Sequence, residues 1–403
     1  MSASFPERID AFRISRLPDI QFGAGGITRL PGLIAEQGKQ VLVVTGKRSF
    51  VASQHWDELV AALKAQGAVR HHVTIEGEPS PQRVDTIVAE HRQHAIDVVV
   101  AIGGGSVLDA AKAVAGLLRT GTSVMDHLEG VGRGLPYRGP AVPLIAVPTT
   151  AGTGSEATKN AVLSVQGPEG FKKSFRDERL VATVALVDPA LLAGCPKTQI
   201  AANGMDAFTQ LLESYVSRNA SPATDALAWS GMQAFCRGFW PAWEEGHPEA
   251  SRGYSQLAYA SLMSGVTLAQ AGLGSVHGLA SPLGAFFPIP HGTVCGTLVA
   301  EATSTNVAAL RQREPSCRAL TRYADVGRLV SGEPKLSGSE ACDVLVATLS
   351  DWIQRLDMPR LGAYGMGHDD IERVVAGARG GSMKTNPLTL TDAELAALLE
   401  TRL

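Results

Sequence analysis

Residues 97–118 read Asp-Val-Val-Val-Ala-Ile-Gly-Gly-Gly-Ser-Val-Leu-Asp-Ala-Ala-Lys-Ala-Val-Ala-Gly-Leu-Leu. The first six are apolar after Asp97, as in a central parallel strand covered on both faces. Three glycines then let the backbone turn tightly and approach a ligand, and Val107 to Leu118 has helical periodicity. The spacing predicts Ser106 as the helix cap, with Asp109 three residues on as in a capping box. Free N–H groups at a helix start after a glycine turn suit a phosphate. The run is neither G-x-G-x-x-G nor G-x-x-x-x-G-K-[ST].

Outward from this unit the same alternation repeats. Residues 20–26 suggest a short strand and turn, and 40–45 (QVLVVT) a buried strand followed by a helix opening at Gly46-Lys47-Arg48-Ser49 and running to Gln66. A strand at 69–75 and a helix at 79–94 follow, then strands at 144–147 and 184–187. Pro148 to Glu156 forms a hydroxyl-rich loop at a strand's carboxyl end, where open α/β sheets bind ligands. Strand and helix in turn predict a doubly wound, Rossmann-like α/β domain. From Pro196 the alternation stops and helical patterns run to the C-terminus, so the expected division is 1–195 (α/β) and 196–403 (all-α).

Composition narrows the function classes. The 403 residues are 45% hydrophobic and 19% charged with a net charge of −3, which gives no reason to invoke nucleic acid or a membrane. Five scattered cysteines without C-x-x-C spacing suit a reducing compartment, and the first sixteen residues lack a signal-peptide core, so the expected location is cytoplasmic.

In the helical half, Asp206 and Gln210 stand four apart and share one helix face. His277 and His291 follow in Ser275-Val276-His277-Gly278 and Pro290-His291-Gly292. Two imidazoles, a carboxylate and an amide oxygen could together hold one divalent ion. The alternative at this level is a satisfied core histidine and a solvated Asp.

Four motifs resemble the iron-containing (group III) alcohol dehydrogenase family: GGGSVLDAAKAVA at 103–115, PTTAGTGSEAT at 148–158, NGMDAFTQLLESYVS at 203–217 and GLGSVHGLASPLGAFFPIPHG at 272–292. The resemblance implies the two-domain plan shared with dehydroquinate synthase, NAD or NADP in the N-terminal domain, and a divalent metal (Fe2+ or Zn2+) in the cleft. Gly104, Gly105 and Ser106 would cradle the pyrophosphate, with Asp109 supporting the loop. Thr149, Thr150 and Thr153 would line the nicotinamide and its ribose, and Asn160 and Lys172 would add further contacts. Asp206, His277 and His291 match three of the family's four metal ligands.

Two positions depart from the family: Gln210 and Ser281 stand where histidines are usual, the second a histidine associated with proton relay. Two readings follow. In one, a metal is kept with Gln210 as a weak fourth ligand. In the other, the site works without metal, as in maleylacetate reductase-type relatives, and Gln210, His277 and His291 stabilise the oxyanion. Gly46 lies where an acidic residue would hydrogen-bond the adenosine ribose of NAD, and Lys47 or Arg48 could meet a 2′-phosphate, which tilts the reading to NADP. The implied reaction is hydride exchange between nicotinamide and a small alcohol or aldehyde, by a homodimeric enzyme. A sugar-phosphate lyase of the same plan would need a basic cluster that the stretch around His277–His291 lacks. A degenerate nucleotide-binding protein is the non-enzymatic alternative.

Overall fold

The computed structural model describes residues 9–403. Six parallel strands form one sheet: β1 (Asp19–Phe22), β2 (Gln40–Gly46), β3 (Val69–Ile75), β4 (Val98–Gly103), β5 (Leu144–Pro148) and β8 (Val184–Val187). Their spatial order is β1-β8-β5-β4-β2-β3. Helices cover both faces. α1 (Leu30–Gln37) and α2 (Gln54–Ala65) bury Ile34, Leu59 and Leu63 against Val41, Val43, Val98 and Val100. α3 (Pro81–His91) and α4 (Gly105–Leu117) bury Val84, Ile87, Leu108 and Ala111 against Leu42, Val44, Val99 and Ala101. The side-chain alternation of β2 and β4 thus serves two cores at once, which is why both strands read as unbroken apolar runs.

The chain leaves β2 towards β3 on one side and β4 towards β5 on the other. The order therefore reverses between β2 and β4, and such a switch point opens a crevice at the strands' carboxyl ends. Gly46 ends β2 and the glycine turn ends β4, so both flank that crevice.

Three local expectations are corrected. The cap of α4 is Gly104 in extended conformation with no side-chain bond, so Ser106 does not cap and no capping box forms. Asp109 instead accepts from the Ser155 hydroxyl and from the Val162 amide at 3.1 Å. α2 begins at Gln54, not at the end of β2, because residues 47–53 turn so that Phe50 is buried and Ser53 takes the extended cap conformation. The polar stretch after the Thr149–Glu156 loop also conceals an antiparallel hairpin, β6 (Asn160–Val165) with β7 (Phe171–Arg176). Its buried Ala161, Leu163 and Phe175 alternate as one sheet face requires.

Helices α5 (Lys197–Val216), α6 (Pro222–Trp243), α7 (Ala250–Ala271), α8 (Ser275–Phe286), α9 (His291–Arg313), α10 (Arg318–Ser331), α11 (Gly338–Arg355), α12 (Ile371–Gly377) and α13 (Asp392–Glu400) complete the chain. α5 packs on α6, α7 and α9 and is buried continuously from Gly204 to Val216. A helix enclosed on all sides should be apolar. This one carries Asp206, Thr209, Gln210, Glu213 and Ser214 in its buried run, and those side chains require partners. At the join between the halves, Gly154 (φ 57°) lies against Gly265 of α7, and a side chain on either would strike the other's backbone. Among the described residues, no helix is long and apolar enough to cross a membrane.

Candidate active site

The glycine turn is built for close packing. A methyl group on Gly105 would lie 2.8 Å from the Thr153 hydroxyl, and one on Gly104 would lie 3.2 Å from that of Thr150. Gly103 donates no space either, since a Cβ there would fall 2.6 Å from Val107. The glycines thus let the Thr149–Thr153 loop lie directly on the start of α4. Val107 and Leu108 donate back to Gly104 O, leaving the amides of Gly105 and Ser106 ahead of the first helical turn.

A buried lysine that the sequence reading passed over ties this loop down. Lys112 Nζ donates to Ser155 O (2.9 Å), Thr158 Oγ1 (2.8 Å) and Asn160 O (2.6 Å), with Asp109 Oδ1 at 3.1 Å. Burial pulls the ammonium's pKa down, and Asp109 opposes that pull. Asp109 and Lys112 are i and i+3 charges inside an apolar helix, a pattern that could have flagged an internal pair. Thr149 donates its amide to Gly103 O at 3.0 Å, and Asn160 opens β6.

The second cluster lies on α5, α8 and α9. Asp206 Oδ1 is 3.2 Å from His277 Nε2 and 3.8 Å from His291 Nε2. The structure thus brings three of the four predicted residues together around one point. Asp206 is fully buried and its Oδ2 has no hydrogen-bond partner. Gln210 lies next to them, but its Nε2 faces Asp206 Oδ1 at 3.4 Å, while its Oε1 accepts from the Ser264 hydroxyl at 2.9 Å. Ser264 Oγ also lies 3.3 Å from Gly152 O, so the threonine loop and this cluster meet through one hydroxyl.

Two neighbours were missed by the sequence reading. Glu213 Oε2 lies 2.7 Å from His277 Nδ1, and its Oε1 accepts from the Val276 amide at 2.7 Å. It follows Asp206 by seven residues, two helical turns on the same face, which was a legible signal. Cys295 Sγ lies 3.5 Å from His277 Nε2 and 3.8 Å from His291 Nε2. It follows His291 by four residues on α9, equally legible as an H-x-x-x-C pair. Asp206, His277, His291 and Cys295 each offer a donor atom, all within 4.8 Å of one another.

The charges explain the histidines' opposite behaviour. Burial pulls His277 down, but Cys295, Asp206 and Glu213 more than offset it, and its pKa rises well above the ordinary value. Burial dominates at His291, whose pKa falls to about 4 despite Asp206, with Lys172 and His277 adding to the fall. Burial raises the Asp206 carboxyl, yet the two histidines hold it below the usual range. Burial alone accounts for most of the rise of the Cys295 thiol to about 12.

Lys172 sits on β7 with its Nζ 3.0 Å from Glu78. Ser281 donates its hydroxyl to Lys172 O at 2.9 Å, so it is a tether between α8 and the hairpin. Asn386 is a structural brace: its Oδ1 accepts from the Ser275 amide at 3.0 Å and its Nδ2 donates to Asn306 at 2.7 Å. Lys47 pairs with Glu76 at 2.8 Å on the surface beside Gly46.

Both halves of the chain match known proteins. The family described as iron-containing alcohol dehydrogenase matches residues 18–189, and its C-terminal counterpart matches residues 200–403. The chain is 33% identical over 395 residues to long-chain-alcohol dehydrogenase 1 of Geobacillus thermodenitrificans, covering 96% of each. It is 30% identical to the NAD-dependent methanol dehydrogenase of Bacillus methanolicus, covering 96% of this chain and 98% of that protein. A crystal structure of a 1,3-propanediol oxidoreductase superposes with a TM-score of 0.86 at 26% identity, covering 98% of this chain and all of the other. The family implies a nicotinamide cofactor and a divalent metal. The chain belongs to the iron-containing alcohol dehydrogenase family and is an oxidoreductase that interconverts alcohols and aldehydes.

Proposed function

We propose that Asp206, His277 and His291 hold a divalent ion, Fe2+ or Zn2+, and that the Gly104–Ser106 turn with the Thr149–Thr153 loop holds a nicotinamide, NADP in preference to NAD. In this reading residues 1–195 bind cofactor and residues 196–403 carry the metal and the substrate oxygen's environment. The observation that carries it is the orphaned, fully buried Asp206 Oδ2 beside two imidazoles. A buried carboxylate oxygen without a donor is costly unless a cation satisfies it. A tetrahedral ion with bonds of about 2.0–2.3 Å spaces its ligands about 3.3–3.8 Å apart. The 3.8 Å separation of Asp206 Oδ1 from His291 Nε2 falls in that range, and the 3.2 Å separation from His277 Nε2 lies just below it.

A divalent ion at this point supplies Lewis acidity towards the substrate oxygen, and a nicotinamide supplies the hydride. The chain's residues do the rest. Glu213 holds Nδ1 of His277 in the protonated form, which leaves Nε2 as the donor facing the ion, a carboxylate–histidine relay of orientation. The glycine and threonine loops hold the cofactor's phosphates and ribose by backbone amides and hydroxyls. Ser281, bonded to a backbone carbonyl, takes no proton. With Ser281 so engaged, water and the ribose hydroxyl of a bound nicotinamide would be left to carry the proton away. The apolar run from Leu283 to Phe287, which closes α8 after His277, suits a small alcohol or aldehyde as substrate, with two copies forming the working enzyme.

The test is consumption of NADPH and NADH by the pure protein on addition of short aldehydes. Turnover of both, with the lower KM for NADPH, is expected. Cofactor binding without turnover across the panel would instead mark a degenerate, binding-only site.

A further inference from the structure

We propose that Cys295, and not Gln210, is the fourth protein ligand of the metal site, giving one carboxylate, two imidazoles and one thiolate around a divalent ion. This rests on the assignment of Asp206, His277 and His291 made above.

Geometry comes first. Cys295 Sγ stands 3.5 Å from His277 Nε2 and 3.8 Å from His291 Nε2. Both distances fall within the ligand–ligand spacing of about 3.3–3.8 Å that a small tetrahedral ion imposes. Gln210 presents its amide nitrogen to Asp206 and commits its oxygen to Ser264. Rotating the amide would give the ion a neutral oxygen, a far weaker donor to zinc or ferrous iron than sulfur.

The backbone holds the sulfur in place. His291 and Cys295 share one face of α9, four residues apart, and each is followed by a glycine. A Cβ on Gly292 would lie 2.7 Å from Ala202 O, and one on Gly296 would lie 3.1 Å from the Cβ of Met205. The two glycines therefore let α9 press its His291–Cys295 face against the turn of α5 that carries Asp206.

Charge also favours sulfur. With Asp206 and two neutral imidazoles as its only ligands, a dication keeps one positive charge within its donor set, the nearest further carboxylate being Glu213 on His277 Nδ1. When the S–metal bond forms, the thiol proton is released to solvent and the thiolate brings the four-donor site to neutrality. Nothing is oxidised or reduced. The unpartnered Asp206 Oδ2 independently marks the same point as a cation site.

The experiment uses the full chain loaded with one equivalent of Co2+, whose bond to a thiolate gives an intense near-ultraviolet charge-transfer band. The band is expected in the wild type and in Gln210→Ala, and it should vanish in Cys295→Ser and Cys295→Ala. Zinc affinity, read by chelator competition, should fall on the order of 100-fold in Cys295→Ala and much less in Gln210→Ala. Co2+ uptake without the band, or a band that survives in both Cys295 variants, overturns the role of Cys295 and leaves the metal reading standing. Failure of the wild type to take up Co2+ or Zn2+ overturns both. The wild-type spectrum decides even if a variant does not fold.

Discussion

Glu213 Oε2 sits 2.7 Å from Nδ1 of His277, and the same carboxylate's other oxygen takes the Val276 amide at the start of α8. One side chain thus fixes both the helix that carries the histidine and the tautomer of its ring. Residues that orient a metal-ligating histidine in this way commonly contribute about 10–100-fold to affinity. Glu213→Gln should lose that much zinc affinity in chelator competition while keeping its far-ultraviolet circular dichroism. Unchanged affinity would reduce Glu213 to a packing role.

The contact between Gly105 and Thr153 makes a second prediction. A methyl placed 2.8 Å from the Thr153 hydroxyl must displace the threonine loop, at a cost of about 1–3 kcal/mol for overpacking. Gly105→Ala should raise the dissociation constant for NAD(P)H by about tenfold or more, measured by fluorescence titration. Wild-type binding would show that this loop does not form the cofactor cradle.

Lys47 offers a test of cofactor choice. Its ion pair with Glu76 is solvent-exposed, so breaking it should affect stability by no more than about 1 kcal/mol. Lys47→Glu should raise KM for NADPH several-fold and leave KM for NADH nearly unchanged. Equal effects on the two would remove Lys47 from 2′-phosphate recognition.

Glu156 is buried behind the threonine loop, and burial raises its pKa to about 7 from an ordinary 4.5. The sign of the linkage follows from this rise. The folded protein holds the proton more tightly than the unfolded chain, so the stabilising contribution is complete below the unfolded pKa and is lost as pH climbs through about 7. Glu156→Gln should therefore gain on the order of 1–3 kcal/mol relative to wild type at pH 8.5, with no gain at pH 4.5. Thermal unfolding at both pH values checks this, and a Tm difference independent of pH would contradict it.

Much of this architecture was legible before any coordinates, because β2 and β4 are apolar on both faces and declare a sheet covered on two sides. The hairpin β6–β7 was harder to read: its strands are short, β7 carries two lysines and an arginine, and Gln-Gly-Pro-Glu-Gly separates the two, so composition masked a period of two that Ala161, Leu163 and Phe175 still carry. In the site, Asp206, His277 and His291 stood out as metal-binding residue types in distinctive phrases. Glu213 and Cys295 were passed over, although their spacings, seven residues after Asp206 and four after His291, put each on the same helix face as its neighbour. The orientation of the Gln210 amide depends on Ser264, fifty-four residues away on α7, and no local pattern encodes it.

The most direct test of the metal centre is the metal content of protein purified without chelator, paired with NAD(P)H-linked aldehyde reduction before and after chelation. The account predicts one equivalent of zinc or iron per chain, activity lost on chelation and restored by added metal, and no retained metal in His291→Ala with turnover reduced by orders of magnitude. Full activity in metal-free protein, or a His291→Ala variant with full metal and full activity, would contradict it and make Gln210 and the histidines hydrogen-bond donors to the substrate oxygen.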